Sequence, residues 1–276
     1  MLLAVDVGNT QTLAGVYHGE SLLHEWRIAT ERNATEDELA AAHDQIPRLR
    51  GGGLDSLDEM VVGSVVPPLS AAYRKLALKY LGREALVVGP GVRTGLSIAI
   101  DNPHELGADR IANAVAAHRR HGGPCVVVDF GTATTFDAIS AGAEYVGGVI
   151  APGIETSLDA LTRRAARLVR VDLVPPPRAI GKSTVESMRS GIVFGTVAMV
   201  DGVVDRMVDE LGEGTITVAT GGLAGLVTSL SRRIDEHDPL LTLEGLRIVH
   251  ELNSRPQAEG HARPPRPAAA SAGGAA

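Results

Sequence analysis

The chain opens on short apolar runs separated by polar or glycine-bearing turns. Leu2 to Asp6 is an apolar run ended by Gly8 and Asn9 and predicts a buried strand. Thr12 to Tyr17 and Leu22 to Ile28 predict the next two strands, joined at His18-Gly19-Glu20. From Thr35 to Leu49 the apolar spacing turns helical, and Thr35 with Glu38 forms a capping box. Met60 to Val66 predicts a strand halted by Pro67-Pro68, Leu69 to Leu81 a helix closed by Gly82, and Ala85 to Val88 a short strand. Pro90 to Ile100 is a connection. Asn102 and Pro103 then open a helix running to about His121, and Gly122-Gly123 stops it.

The second half repeats the opening. Val126 to Asp129, Thr135 to Ile139 and Tyr145 to Ile150 predict strands, and Pro152-Gly153 leads a helix to about Leu168. Val171 to Gly181 is a loop, and Ser183 to Leu211 a long helix bent near its glycines. Thr215 to Ala219 is a strand, followed by helices at Leu223 to Leu230 and Leu243 to Leu252. After Ser254 the composition turns to Pro, Ala, Gly and Arg, the mark of a disordered tail. The expected division is 1–122 as one lobe, 123–253 as a second, and 254–276 as the tail.

The repetition extends to chemistry. Asp6-Val7-Gly8-Asn9-Thr10-Gln11-Thr12 is echoed by Asp129-Phe130-Gly131-Thr132-Ala133-Thr134-Thr135. Each copy places an Asp at a strand end, then a turn carrying Gly and hydroxyls. Glycine lets the backbone approach a phosphate, N–H and hydroxyl groups donate to its oxygens, and the Asp can hold a metal ion or its waters. Either turn alone reads equally as an ordinary hairpin. A purely structural pair has no need of two acidic strand ends, so the recurrence favours a triphosphate held between duplicated halves.

Composition narrows the partners. The 276 residues carry a net charge of −7 with no long basic run, which argues against a nucleic-acid partner. No apolar run reaches the ~20 residues a membrane span needs. No signal peptide is predicted at the N-terminus, and the lone Cys125 excludes an intrachain disulfide, in keeping with a cytoplasmic protein.

Other candidate chemistry lies in Glu105-Leu106-Gly107-Ala108-Asp109-Arg110. Arg110 suits a carboxylate or a transferring phosphoryl group, and Asp109 suits a hydroxyl proton. The plainer reading is an acidic helix N-terminus and a surface ion pair. Gly107, expected inside the helix, points to close approach by something else. Thr220-Gly221-Gly222 reads either as a nucleotide wall or as a plain strand-to-helix turn. Gly181-Lys182-Ser183-Thr184 looks like the end of a P-loop, but no glycine lies between Leu168 and Pro177, so that motif is rejected. Ser183 and Thr184 then cap a helix or contact a ligand. The nine histidines show no metal-ligand spacing.

Taken in order, Asp6-x-Gly-Asn-Thr, Glu-x-Gly-Ala-Asp109-Arg110, Val-Asp129-Phe-Gly-Thr132, Gly-Gly-x-Ile-Ala-Pro-Gly153 and Thr-Gly-Gly222 resemble the type III pantothenate kinases, from Met1 to about Asn253. The resemblance implies an α/β, duplicated ribonuclease H-like fold (acetate and sugar kinase/Hsc70/actin) with two lobes and mixed sheets. It implies phosphorylation of pantothenate by ATP in coenzyme A biosynthesis, by a homodimer. It assigns Asp6, Val7, Gly8, Asn9, Thr10, Gln11, Thr12, Leu13 and Thr132 to ATP, with Asp6 on magnesium through water. Gly107, Ala108, Asp109, Arg110 and Thr184 fall to pantothenate, with Asp109 as proton acceptor, and Asp129 to a monovalent cation, K+ or NH4+. Where many members carry a pocket Tyr, this chain has Ile100. Two alternatives stand beside this: a non-catalytic regulatory relative, and another small-molecule kinase of the same fold.

Overall fold

The computed structural model describes residues 1–48, 52–165 and 168–254. The tail expected past Ser254 lies outside the described residues, as does Leu49 at the end of the first predicted helix.

Two sheets carry the same plan. In the first, β1 (Leu2–Val7), β2 (Gln11–His18) and β3 (Ser21–Ala29) form an antiparallel meander. Helix α1 (Glu36–Arg48) follows. Then β4 (Glu59–Ser64) pairs parallel with β1 and, after α2 (Pro67–Leu76), β5 (Leu86–Val87) pairs parallel with β4. The order is β3-β2-β1-β4-β5. A two-residue strand β6 (Ser97–Ile98) and helix α3 (Ala108–His121) lead to the second half. There β7 (Cys125–Phe130), β8 (Ala133–Ile139) and β9 (Glu144–Pro152) repeat the meander, followed by helices α4 (Ile154–Arg164) and α5 (Thr184–Leu211). Next, β10 (Ile216–Thr220) pairs parallel with β7, α6 (Ala224–Thr228) follows, and β11 (Glu236–His237) pairs parallel with β10. The second sheet is ordered β11-β10-β7-β8-β9-β6, the first plan with β6 added at an edge. The chain closes with α7 (Leu241–Ser254).

The central strands β1 and β7 are apolar because both faces are covered. Leu3, Val5 and Val7 face α1 and α2, while Leu2 and Ala4 face the space between the sheets. Val126 and Val128 face α5 and α6, while Cys125 and Val127 face that same central space. Helices α3 and α7 fill it. A side chain at Gly245 of α7 would overlap the Ala112 carbonyl of α3, so glycine is what lets the two helices touch backbone to backbone. Residues 111–117 of α3 are buried without interruption, which makes this helix a fixed rod between the sheets.

The departures from expectation are local. Pro67 and Pro68 do not merely stop β4. They form the first turn of α2, where the missing N–H costs nothing. The final turn before Gly82 is wound as a π-helix, and Gly82 closes it at φ 68°. β6 and β11 are too short to carry a periodic signal. Helix α4 ends at Arg164 rather than near Leu168, and α6 is shorter than expected. The helix expected from Asn102 is two pieces: a 3-10 turn at Pro103–Glu105, then α3 from Ala108. Gly107 is therefore the N-cap of α3 and not an interior residue, with φ −63° and ψ 147°.

A buried polar chain links the first sheet to its outer helices. The Trp26 indole donates to Nδ1 of His43 (3.2 Å), whose Nε2 lies 2.8 Å from the Tyr73 hydroxyl. Indole can only donate, so Nδ1 accepts and Nε2 carries the proton. His43 is fully buried, and burial lowers its pKa from 6.5 to about 4. As pH falls below 6.5 the unfolded chain takes up this proton before the folded one does. Stability is lost across that window and levels off below about 4. The loss should approach about 3 kcal/mol. Denaturant unfolding at neutral and acid pH should show that much more acid destabilisation in the wild type than in His43→Gln. Equal pH slopes would contradict it.

Candidate active site

The strands β1 and β7 both end at the rim of the space between the sheets, and each hands over to a tight turn. In the first, the Gly8 N–H donates to the Gln11 carbonyl at 3.1 Å; in the second, the Gly131 N–H donates to the Ala133 carbonyl at 3.0 Å. The two turns meet: the Thr10 and Thr132 hydroxyls are 3.4 Å apart. Two hydroxyl-bearing turns that meet in this way have the donor groups that phosphate oxygens accept from.

Asp6 and Asp129 occupy matching places, one residue before the end of β1 and of β7. Asp109 sits in the first turn of α3, near enough for its charge to act on both. Burial pushes Asp6 well above the usual carboxylate range, and the charges of Asp109 and Asp129 push it further; Arg27 opposes them. Burial and then Asp109 push Asp129 up to about 7, against a hydrogen bond from Asn113. Burial and the neighbouring acids thus both favour the neutral forms of Asp6 and Asp129 unless a cation lies beside them.

The surroundings hold these groups in place. The Asn113 amide donates to Oδ2 of Asp129 at 3.0 Å and accepts from the Thr242 hydroxyl of α7 at 2.8 Å. Gly221, at φ 93°, brings the β10–α6 turn against Asp129; a Cβ there would lie 2.5 Å from Oδ1. The Thr-Gly-Gly segment is thus part of the site wall, beside Asp129. Gly107 abuts the Asp109 carboxylate, whose Oδ1 accepts from the Arg110 N–H at 2.9 Å. The bystander that Gly107 admits is a side chain of its own segment.

The other anticipated residues separate into groups. Asn9 accepts from Arg32 at 2.8 Å, and Gln11 accepts from Arg27 at 3.2 Å. Val7 lies in the outer core, Thr12 is buried with its hydroxyl 2.9 Å from that of Thr30, and Leu13 packs on the central cluster, while all three are paired in the β1–β2 ladder. Ala108 is buried, and Ile100 packs on the central cluster. The Thr132 carbonyl accepts from the Gly153 N–H and from the Thr156 hydroxyl, which ties the second turn to α4. Thr184 lies elsewhere. It follows Ser183, the N-cap of α5, and lines a cavity of about 750 Å³ with Leu161, Lys182, Met188 and Ile192, none of them a cleft residue.

Sequence reading passed over Arg27, Asn113, Asp137 and Tyr145. Arg27 lies two strands from β1, on the cleft side, and its Nη1 would be 3.2 Å from a Cβ on Gly222. Alternation along β3 marks that face, since Trp26 and Ile28 point to the outer core. Nothing in sequence pairs Arg110 with Asp137, whose Oδ1 is 2.7 Å from the arginine Nε.

Comparison with known proteins agrees with this geometry. A family model described as type III pantothenate kinase matches residues 2–206. The type III pantothenate kinase of Moorella thermoacetica (strain ATCC 39073 / JCM 9320) is 52% identical over 254 residues, covering 92% of this chain and 100% of that protein. Among solved structures, the ethanolamine utilization protein EutJ from Carboxydothermus hydrogenoformans matches with a TM-score of 0.54 at 15% identity, covering 90% of this chain and 89% of that one. The ROK hexokinase from Thermus thermophilus matches with a TM-score of 0.52 at 16% identity, covering 92% and 99%. At such identities the two structures speak for the fold alone, the duplicated α/β fold of acetate and sugar kinases, Hsc70 and actin. The family match and the extent of the sequence identity show that this chain belongs to the type III pantothenate kinase family.

Proposed function

We propose that the chain transfers the γ-phosphoryl group of ATP to the primary hydroxyl of pantothenate, with Asp109 as proton acceptor. The observation that carries this is the meeting of the Thr10 and Thr132 turns beside the acids Asp6, Asp109 and Asp129. The nucleotide's phosphates lie between the turns, taking N–H and hydroxyl donors from both. Arg27 adds a cation at the mouth. Pantothenate enters beside the start of α3, its carboxylate on Arg110 and its hydroxyl toward Asp109. The hydroxyl oxygen attacks the γ-phosphorus, the bond to the β–γ bridging oxygen breaks, and ADP leaves with that electron pair. Asp109 takes the hydroxyl proton late. A loose phosphoryl transition state asks little of a base, so positioning and charge neutralisation carry most of the rate.

The donor set suits magnesium. No three His, Cys, Asp or Glu side chains among the described residues converge to hold a metal alone. Magnesium keeps several waters and binds through one or two carboxylates plus substrate phosphates. Asp6 would hold it through water, and when bound it supplies positive charge against the transferring group. Asp129, whose Oδ2 accepts from the Asn113 amide, would hold the monovalent cation.

The homodimer is supported by the α4–α5 face. Leu161 and Ile180 are exposed there, and Gly191 has nothing within 4 Å of where a Cβ would sit. Thr184 lies on the same face, so a partner chain is the route by which it reaches a pantothenate. No helix among the described residues is long and apolar enough to cross a membrane.

ATP consumption should depend on pantothenate; consumption indifferent to it would favour another kinase or a regulatory relative. Asp109→Asn should lower turnover by about 10²-fold or more while leaving ATP binding nearly intact. Turnover within a few-fold of wild type would remove Asp109 as the base. Replacing potassium by sodium should lower activity, and indifference to the exchange would remove the role of Asp129. Sedimentation should give the mass of two chains, and Gly191→Arg should give one chain with poor pantothenate turnover; a monomeric, fully active wild type would end the dimer reading.

A further inference from the structure

Arg110 is held from behind by groups that the phosphoryl transfer does not otherwise use. Asp137 of β8 is fully buried, and its Oδ1 accepts two hydrogen bonds, from Arg110 Nε at 2.7 Å and from the Tyr145 hydroxyl at 2.6 Å. Its Oδ2 is buried and has no hydrogen-bond partner among the described residues. The guanidinium also lies over the Tyr145 ring, 5.8 Å from its centroid. On the remaining side, β9 supplies Gly148, where a Cβ would come within 2.6 Å of Arg110 Nη2.

A carboxylate sunk in a sheet with one oxygen unpartnered is a poor way to gain stability. Apolar residues of like volume usually do as well or better. What the arrangement does provide is direction. A guanidinium has a fixed fork of donors and two edges able to grip a carboxylate. Asp137 occupies Nε and so removes the edge that Nε shares with one terminal nitrogen. The edge formed by the two terminal nitrogens is left, and neither of these has an acceptor among the described residues.

We propose that Asp137 and Tyr145 are positioning residues that lock Arg110 so that its terminal edge faces the carboxylate of the acid substrate. This rests on the assignment of Arg110 to the substrate made above. The clamp makes the site selective for a substrate ending in a planar anion at a set distance from the reacting hydroxyl.

The test is steady-state kinetics on Asp137→Asn, Tyr145→Phe, Arg110→Ala and the Arg110→Ala/Asp137→Asn double variant, each with its melting temperature. Asp137→Asn should raise the KM for pantothenate about tenfold while the KM for ATP and kcat move less than about threefold. Tyr145→Phe, which keeps the ring and the carboxylate, should give a smaller rise in the same constant. The double variant should be no worse than Arg110→Ala alone, because the clamp acts only through the arginine. If Arg110→Ala raises the pantothenate KM but Asp137→Asn and Tyr145→Phe leave it within twofold, the positioning role is wrong and the arginine assignment stands. If Arg110→Ala itself leaves it unchanged, the arginine assignment fails and takes the clamp with it. If Asp137→Asn raises both Michaelis constants alike and lowers the melting temperature, Asp137 is structural and the proposal falls.

Discussion

Two acids, Asp6 and Asp129, sit where the two halves of the molecule meet, and burial there, with the nearby charge of Asp109, disfavours their charged forms. Asp6, Asp129 and Asp109 come from different elements, yet the charge of Asp109 is felt at both of the others. In a cleft of lowered dielectric such repulsion is relieved in two ways only: by taking up protons or by admitting cations. Arg27 supplies such a charge at Asp6.

That convergence depends on a rigid rod. Helix α3 is buried along most of its length between the two sheets, and its small residues let α7 cross it at backbone contact. Its first turn carries Asp109 and Arg110, and Asn113 follows one turn later. Through Asn113 the carboxylate of Asp129 is tied to Thr242, so the last helix of the chain helps fix an acid on the seventh strand. The reactive groups sit on strands and a helix held by packing, and the turns between them supply the adaptable N–H and hydroxyl donors.

Much of the fold was legible because strands and caps leave local marks. Apolar runs bounded by Gly and Asn located the two meanders, and the Thr35–Glu38 box marked the start of α1. The recurrence of Asp, Gly and Thr pointed to paired phosphate turns, and the 3.4 Å approach of Thr10 to Thr132 bears out their meeting. Pattern failed where the signal is short or non-local. β5 was marked by the apolar run Ala85 to Val88, whereas β6 and β11 lie in no continuous apolar run, and the break at Leu106-Gly107, where Gly107 takes extended dihedrals as the N-cap of α3, was not read.

The order of apolar and polar residues by itself determined the duplicated strand plan, the acidic strand ends and the glycine turns, since each is written within a few neighbouring positions. Only the tertiary structure decided which distant groups share an environment: Asp109 with Asp6 and Asp129, Arg110 with Asp137, Arg27 with Gln11 and Gly222. Pairing across sheets and helices depends on how the layers stack, and stacking is the sum of many weak contacts that no single stretch of sequence records.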